Sequence, residues 1–171
     1  MRYSTHWVTD EDRAAVDAVL RSDWLTCGPK VREFEDALAT YVGAKYAVAV
    51  NSGTAALYLA YLATGVKQIL TTPLTFMATA NAALLAGCHT LVFGDVDPAT
   101  GNKSMPGWGR EWIQAPVHFA GRAAPLPDSG LLIEDACHAL GAMDHDGCSR
   151  VGSCAHSLAA CFSFHPVKPI T

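Results

Sequence analysis

LLIEDACHALGA, residues 131–142, opens on three aliphatic side chains and stops being apolar at Glu134 and Asp135. A short apolar run with a hard polar stop reads as a strand buried on both faces, since a half-solvated strand would alternate apolar with polar. Five more runs share that character: YAVAV (46–50), QILTT (68–72), TLVF (90–93), IQAPV (113–117) and AACFSF (159–164). Helix-like or loop segments separate them, which predicts an α/β protein on a mostly parallel sheet covered on both faces. Ligands of such sheets gather beyond the carboxyl ends of the strands, so the residues that follow each run carry the functional reading.

Ahead of the first run stand two amphipathic patterns. TDEDRAAVDAVLRSD (9–23) begins with a cap-like Thr9 and an acidic first turn and sets Val16, Val19 and Leu20 on one face. After TCGP, residues Val31, Phe34, Leu38, Tyr41 and Val42 recur at helical spacing and Gly43 supplies the stop. Residues 1–44 are therefore expected to be an N-terminal helical segment packed on a larger body formed by 45–171.

The chain has 171 residues, of which 50% are hydrophobic and 16% charged, enough to bury a core. A net charge of -4 without a basic cluster excludes a nucleic-acid surface or an anionic membrane as the expected partner. MRYSTHWVTDEDR has no secretory signature, and AALYLAYLATGV is too short to span a bilayer, so a cytoplasmic protein is expected. The six cysteines then read as reduced small hydrophobes. Cys148, Cys154 and Cys161, with His145 and His156 among them, contain no CxxC pair, and no metal site is expected.

Beyond the run at 46–50 comes NSGTAAL. Asn51 and Ser52 can cap a helix, and Gly53 lets a ligand approach the N–H groups of Gly53, Thr54 and Ala55, which makes either a phosphate cradle or an ordinary capped helix. PLTFMATANAALLAG presents Phe76 at the start of a helix, as a ligand plate or as core. Asp95 and Asp97 fit an exposed turn as well as a ligand. His118 follows the run at 113–117 and fits a structural role as well as a functional one. Glu134, Asp135 and His138 stand where LLIE ends; a carboxylate held there needs a partner, and a protonated ring nitrogen would serve. Ser163 offers a further phosphate donor. Lys168, between Pro166 and Pro169, is barred from a helix interior and sits on an ordered turn. Phosphate cradle, aromatic plate, strand-end carboxylate and late lysine in this order describe a site for pyridoxal 5'-phosphate (PLP).

These segments, together with PVHFAG, EDACHALGA, CFSFHPVKPIT and WLTCGPKVREFE, resemble the DegT/DnrJ/EryC1/StrS sugar aminotransferases across nearly the whole chain. The resemblance implies the fold-type I large domain: three layers around a mostly parallel sheet, with 45–171 as its PLP-binding part. By that resemblance Lys168 forms the Schiff base with the cofactor, Asp135 pairs with the pyridine nitrogen, and Phe76 stacks on the ring. His138 lies near the phenolic oxygen, while Ser52, Gly53, Thr54 and Ser163 surround the phosphate. The branch it is most similar to aminates UDP-linked 4-keto-6-deoxy sugars with glutamate, for pseudaminic and related nonulosonic acids or surface glycans, and works as homodimers. A dehydratase with histidine at the lysine position is the nearest other reading within the family, and Lys168 speaks against it.

Family members run to roughly twice this length, as two domains do against one. The chain is thus expected to be incomplete after Lys168, lacking a small C-terminal domain and an antiparallel strand that would lie between the first strand and the one before the lysine. The sheet is expected to be split there, and an inactive, partner-dependent fragment is the alternative to an enzyme. Two crossovers, Asp97 to Val117 with NKSMPGWGREW and Gly121 to Leu131 with GRAAPLPDSG, look short for the helices such connections usually carry.

Overall fold

Helix α1 (Asp10–Leu20) starts at a full capping box, with Thr9 Oγ1 accepting the Asp12 N–H and the Asp12 carboxylate accepting the Thr9 N–H. α2 (Pro29–Val42) has proline in its first turn and ends at Gly43, whose φ of 82° is the left-handed stop that glycine permits. These elements belong to a computed structural model that describes residues 6–65, 67–102, 111–127 and 131–170.

α3 (Gly53–Thr64) is capped by Ser52, whose hydroxyl accepts the Ala55 N–H at 3.1 Å. There follow β1 (Gln68–Thr71), α4 (Ala78–Leu85), β2 (Thr90–Phe93), β3 (Ile113–Gln114), β4 (Leu131–Asp135) and β5 (Ala159–Cys161). All pairings are parallel, in the order β2-β1-β3-β4-β5. β3 is short because Pro116 has no amide to donate. Its continuation still follows β4: Asp135 N–H reaches Pro116 O at 2.9 Å and His118 N–H reaches Asp135 O at 3.0 Å.

The period of two in a strand divides the sheet into two faces. Ile69, Ile113, Ile133 and Cys161 face α3 and α4 in the main core, joined by Leu57, Tyr61 and Ala82. On the other face Ala160 and Phe162 pack with Ala136, Ala139 and Val151. α2 meets the chain after β4: Phe34 sets its ring edge-to-face on Phe164 at 5.0 Å, and Arg150 lies 4.2 Å from the Tyr41 ring centre while donating to Tyr41 O.

Three expectations need correction. Residues 46–50 form no strand; Tyr46 and Val48 are exposed, and the Ala49 N–H goes to the Glu35 carboxylate at 2.8 Å. A strand exists only where a neighbouring backbone takes its hydrogen bonds, and no described strand lies beside this segment. The other five strands form one continuous sheet, and 46–50 stands outside it, on the far side of the expected split. α1 was expected to pack, yet it buries no residue. β5 ends at Cys161, so residues 162–164 leave the sheet. In the two short crossovers the described residues carry no α-helix, and a 3-10 turn, Phe119–Gly121, stands between them; 103–110 of NKSMPGWGREW and 128–130 of GRAAPLPDSG lie outside the described residues.

Candidate active site

Asp135 ends β4 on the face that meets α4 and is 5% exposed. Its Oδ2 accepts the Thr79 hydroxyl at 2.6 Å and its Oδ1 accepts the Cys137 N–H at 3.2 Å. The preceding residue, Glu134, points to the opposite face, as strand alternation requires. There its carboxylate accepts His118 Nε2–H at 2.8 Å and the Ser157 hydroxyl. His118 Nδ1 accepts the Ala124 N–H at 2.9 Å, which puts the ring proton on Nε2. His118 and Glu134 thus form a satisfied buried pair, and the structural role of His118 is the one realised. Asp95 and Asp97 likewise close a turn, accepting the N–H groups of Val96 and Ala99.

Gly53 opens α3 against the ends of β4 and β5. A Cβ there would lie 3.2 Å from Cys137 Sγ and 3.2 Å from Ser163 Cβ, so glycine is what allows this approach. Ser52, Gly53, Thr54 and Ser163 consequently meet at a helix N-terminus, where free amides and the helix dipole favour an anion. Phe76 lies one turn before Thr79 at the start of α4 and is 68% exposed, so core packing does not explain it.

Lys168 is half-buried and its Nζ lies 2.8 Å from His138 Nε2. An ammonium can only donate, so the imidazole accepts. His138 is held below the ordinary histidine range, first by burial and then by the Lys168 charge, with Asp135 pulling the other way. Burial and the Asp135 charge push the Cys137 thiol far up, and Cys161 is pushed up to about 12, so both are inert small groups rather than nucleophiles.

Of the residues singled out in the sequence, the structure brings Gly53 to Ser163 and Lys168 to His138; sequence reasoning missed Thr79, a fully buried hydroxyl on an otherwise alanine-rich helix face. The available signal was its chemistry, because a hydroxyl on such a face needs a partner. Among the described residues, Asp144, Asp146 and His156 bring ligand atoms within 4.8 Å of one another, a set different from the cysteines weighed above. Both carboxylates are engaged by the amides of Cys148 and Ser149 in closing the turn between Met143 and Arg150.

Known proteins share this architecture. A UDP-4-amino-4,6-dideoxy-N-acetyl-beta-L-altrosamine transaminase of Campylobacter jejuni is 42% identical over 188 positions, covering 99% of this chain and 48% of that protein. PseC of Helicobacter pylori, an aminotransferase involved in the biosynthesis of pseudoaminic acid, superposes with a TM-score of 0.87 at 33% identity, over 99% of this chain and 49% of its own. Spr1654 of Streptococcus pneumoniae matches in its PLP form (TM-score 0.86, 24% identity) and its PMP form (0.81, 26%), each over 100% of this chain and 50% of that one. The chain spans about half the length of the relatives it matches. No described helix is long and apolar enough to cross a membrane. The family profile of the DegT/DnrJ/EryC1/StrS aminotransferases matches residues 7–171, and on that match and these likenesses the chain belongs to this family.

Proposed function

We infer that residues 45–171 are the PLP-binding part of a nucleotide-sugar aminotransferase, preceded by the helical segment of 1–44. The whole protein, working as a homodimer in the cytoplasm, moves an amino group from glutamate to a UDP-linked 4-keto-6-deoxy sugar on the way to a nonulosonic acid or surface glycan. The observation that carries this reading is the lysine amine of Lys168, held on His138 three residues beyond the buried Asp135.

The residues present fit the cofactor's chemistry. The glycine at the start of α3 lets Ser163 approach this helix N-terminus closely, so that a phosphate would meet the α3 amides with Ser52, Thr54 and Ser163 beside it. Asp135 supplies a fixed carboxylate for a pyridinium, and exposed Phe76 supplies a ring face. When bound, PLP contributes the electron sink that makes the Cα proton of an amino donor removable. Lys168 Nζ then carries that proton, and His138 Nε2 keeps the amine in position between transfers. Asp135 holds its negative charge against the ring nitrogen.

Incubating the chain with PLP, reducing with borohydride and mapping peptides tests the assignment. A pyridoxyl label on Lys168 is expected; a label on Lys45 or Lys67 instead overturns it.

A further inference from the structure

We propose that Thr79, with Thr75 behind it, is the positioning residue that fixes the Asp135 carboxylate through a directed chain of two hydroxyls. This deepens the cofactor reading above and rests on it for its purpose, though not for its geometry. Thr79 is fully buried and its Oγ1 has three polar neighbours: Asp135 Oδ2 at 2.6 Å, Thr75 Oγ1 at 2.7 Å and Phe76 O at 3.1 Å. A hydroxyl has one proton. The carboxylate is the nearest and the strongest acceptor of the three, so the proton goes to Asp135. Thr79 Oγ1 is then left with lone pairs, and Thr75 Oγ1–H fills one of them. The chain therefore runs from Thr75 to Thr79 to Asp135, each bond polarising the next in a dry environment.

The second carboxylate oxygen accepts the Cys137 N–H. Asp135 is thereby clamped from two sides, by α4 through a side chain and by the turn after β4 through a backbone amide, and its plane cannot rotate without breaking one bond. The Cys137 thiol also leans on this carboxylate, but Thr79 is the hydroxyl that reaches it from α4. Tyr61 lies on the same side, but its buried hydroxyl has no hydrogen-bond partner among the described residues, and burial followed by the Asp135 charge raises its pKa well above the ordinary tyrosine value. The titratable groups whose pKa values the Asp135 charge raises are Tyr61 in the core, Cys161 on β5, and Cys137 and His138 beyond the strand ends. With its plane fixed, the carboxylate keeps one orientation toward a ring nitrogen and stabilises the protonated ring more than a rotating group would.

Thr79→Val preserves shape and removes the hydroxyl, whereas Thr79→Ser retains it. The first readout uses the 15N-labelled chain without cofactor. In Thr79→Val the Cys137 amide resonance moves; in Thr79→Ser it stays near its wild-type position. The second uses PLP labelled with 15N in the ring. The pH at which the bound ring nitrogen loses its proton falls by about one unit in Thr79→Val, the size of one hydrogen bond to a charged group, and stays near wild type in Thr79→Ser. Thr75→Val gives a smaller shift in the same direction and carries the test if Thr79→Val does not fold. An unmoved Cys137 amide in the valine variants overturns the clamp whether or not cofactor binds. A wild-type ring titration in the valine variants overturns its purpose. Failure of the wild-type chain to take up PLP, with the amide shift present, overturns the cofactor reading and leaves the clamp standing.

Discussion

At the scale of single residues, the contact between Lys168 and His138 sets a sign that can be measured. The Lys168 charge is one of two causes that hold His138 below the ordinary value of 6.5. Lys168→Met removes that cause, so the His138 midpoint followed by proton NMR should rise; an unchanged or lower midpoint contradicts the contact. A histidine depressed in the folded state stays uncharged while its unfolded counterpart takes up a proton. Stability from this group is therefore complete above pH 6.5 and declines as pH falls from there toward the lowered folded midpoint. In Lys168→Met that window should narrow. Gly53 makes a different kind of statement. An alanine there would have to push Cys137 Sγ and Ser163 Cβ by a few tenths of an ångström, while gaining about 0.5–1 kcal/mol of backbone entropy relative to glycine. Gly53→Ala should leave the urea-unfolding free energy within about 1 kcal/mol of wild type and weaken PLP binding by about tenfold or more. Wild-type affinity in a spectroscopic titration would show that the cradle holds no phosphate.

At the scale of elements, two helices with good caps have different fates. α3 is capped by Ser52 and packs on α4, β4 and β5, so losing the cap hydroxyl is felt by the whole core. Ser52→Ala should lower global stability by about 1 kcal/mol in urea unfolding. α1 has the fuller capping box but buries nothing. Thr9→Ala should therefore leave the global transition unmoved and speed hydrogen exchange within 10–20; equal effects of the two substitutions on the urea midpoint would refute this contrast. The segment 46–50 belongs to the same comparison. YAVAV carries strand propensity, yet with Tyr46 and Val48 exposed its amides should exchange as in an open loop, apart from Ala49, which donates to Glu35.

At the scale of the molecule, apolar surface is left open in several places at once. Trp7, Val16, Leu20, Trp24 and Leu25 are exposed on and around α1, Tyr46 and Val48 in the unpaired segment, and Leu59 and Leu62 on α3. β5 is an edge of the sheet with no described strand beyond it. Surface of this kind, next to a free edge, favours association. The chain is expected to sediment as more than a monomer in the micromolar range and to bind a hydrophobic dye. A dye-silent monomer under those conditions would mean that the exposed faces are tolerated singly. The alignment with the Campylobacter transaminase runs over 188 positions against 171 residues here, so that relative carries residues this chain lacks.

Wherever the controlling interactions are local, the sequence alone determined the outcome. The apolar runs at 68–71, 90–93 and 131–134 became strands, Ser52 capped its helix, Gly43 stopped α2, and Asp135 closed β4. Caps, stops and buried runs are written in residues a few positions apart, so they can be read without the fold. What only the tertiary structure decided depends on distant neighbours. Thr79 finds Asp135 across 56 residues, Lys168 finds His138 across 30, and His118 finds Glu134 across 16. YAVAV is no strand for the same reason, since propensity states what a segment can do whereas a ladder needs a partner brought there by the rest of the chain.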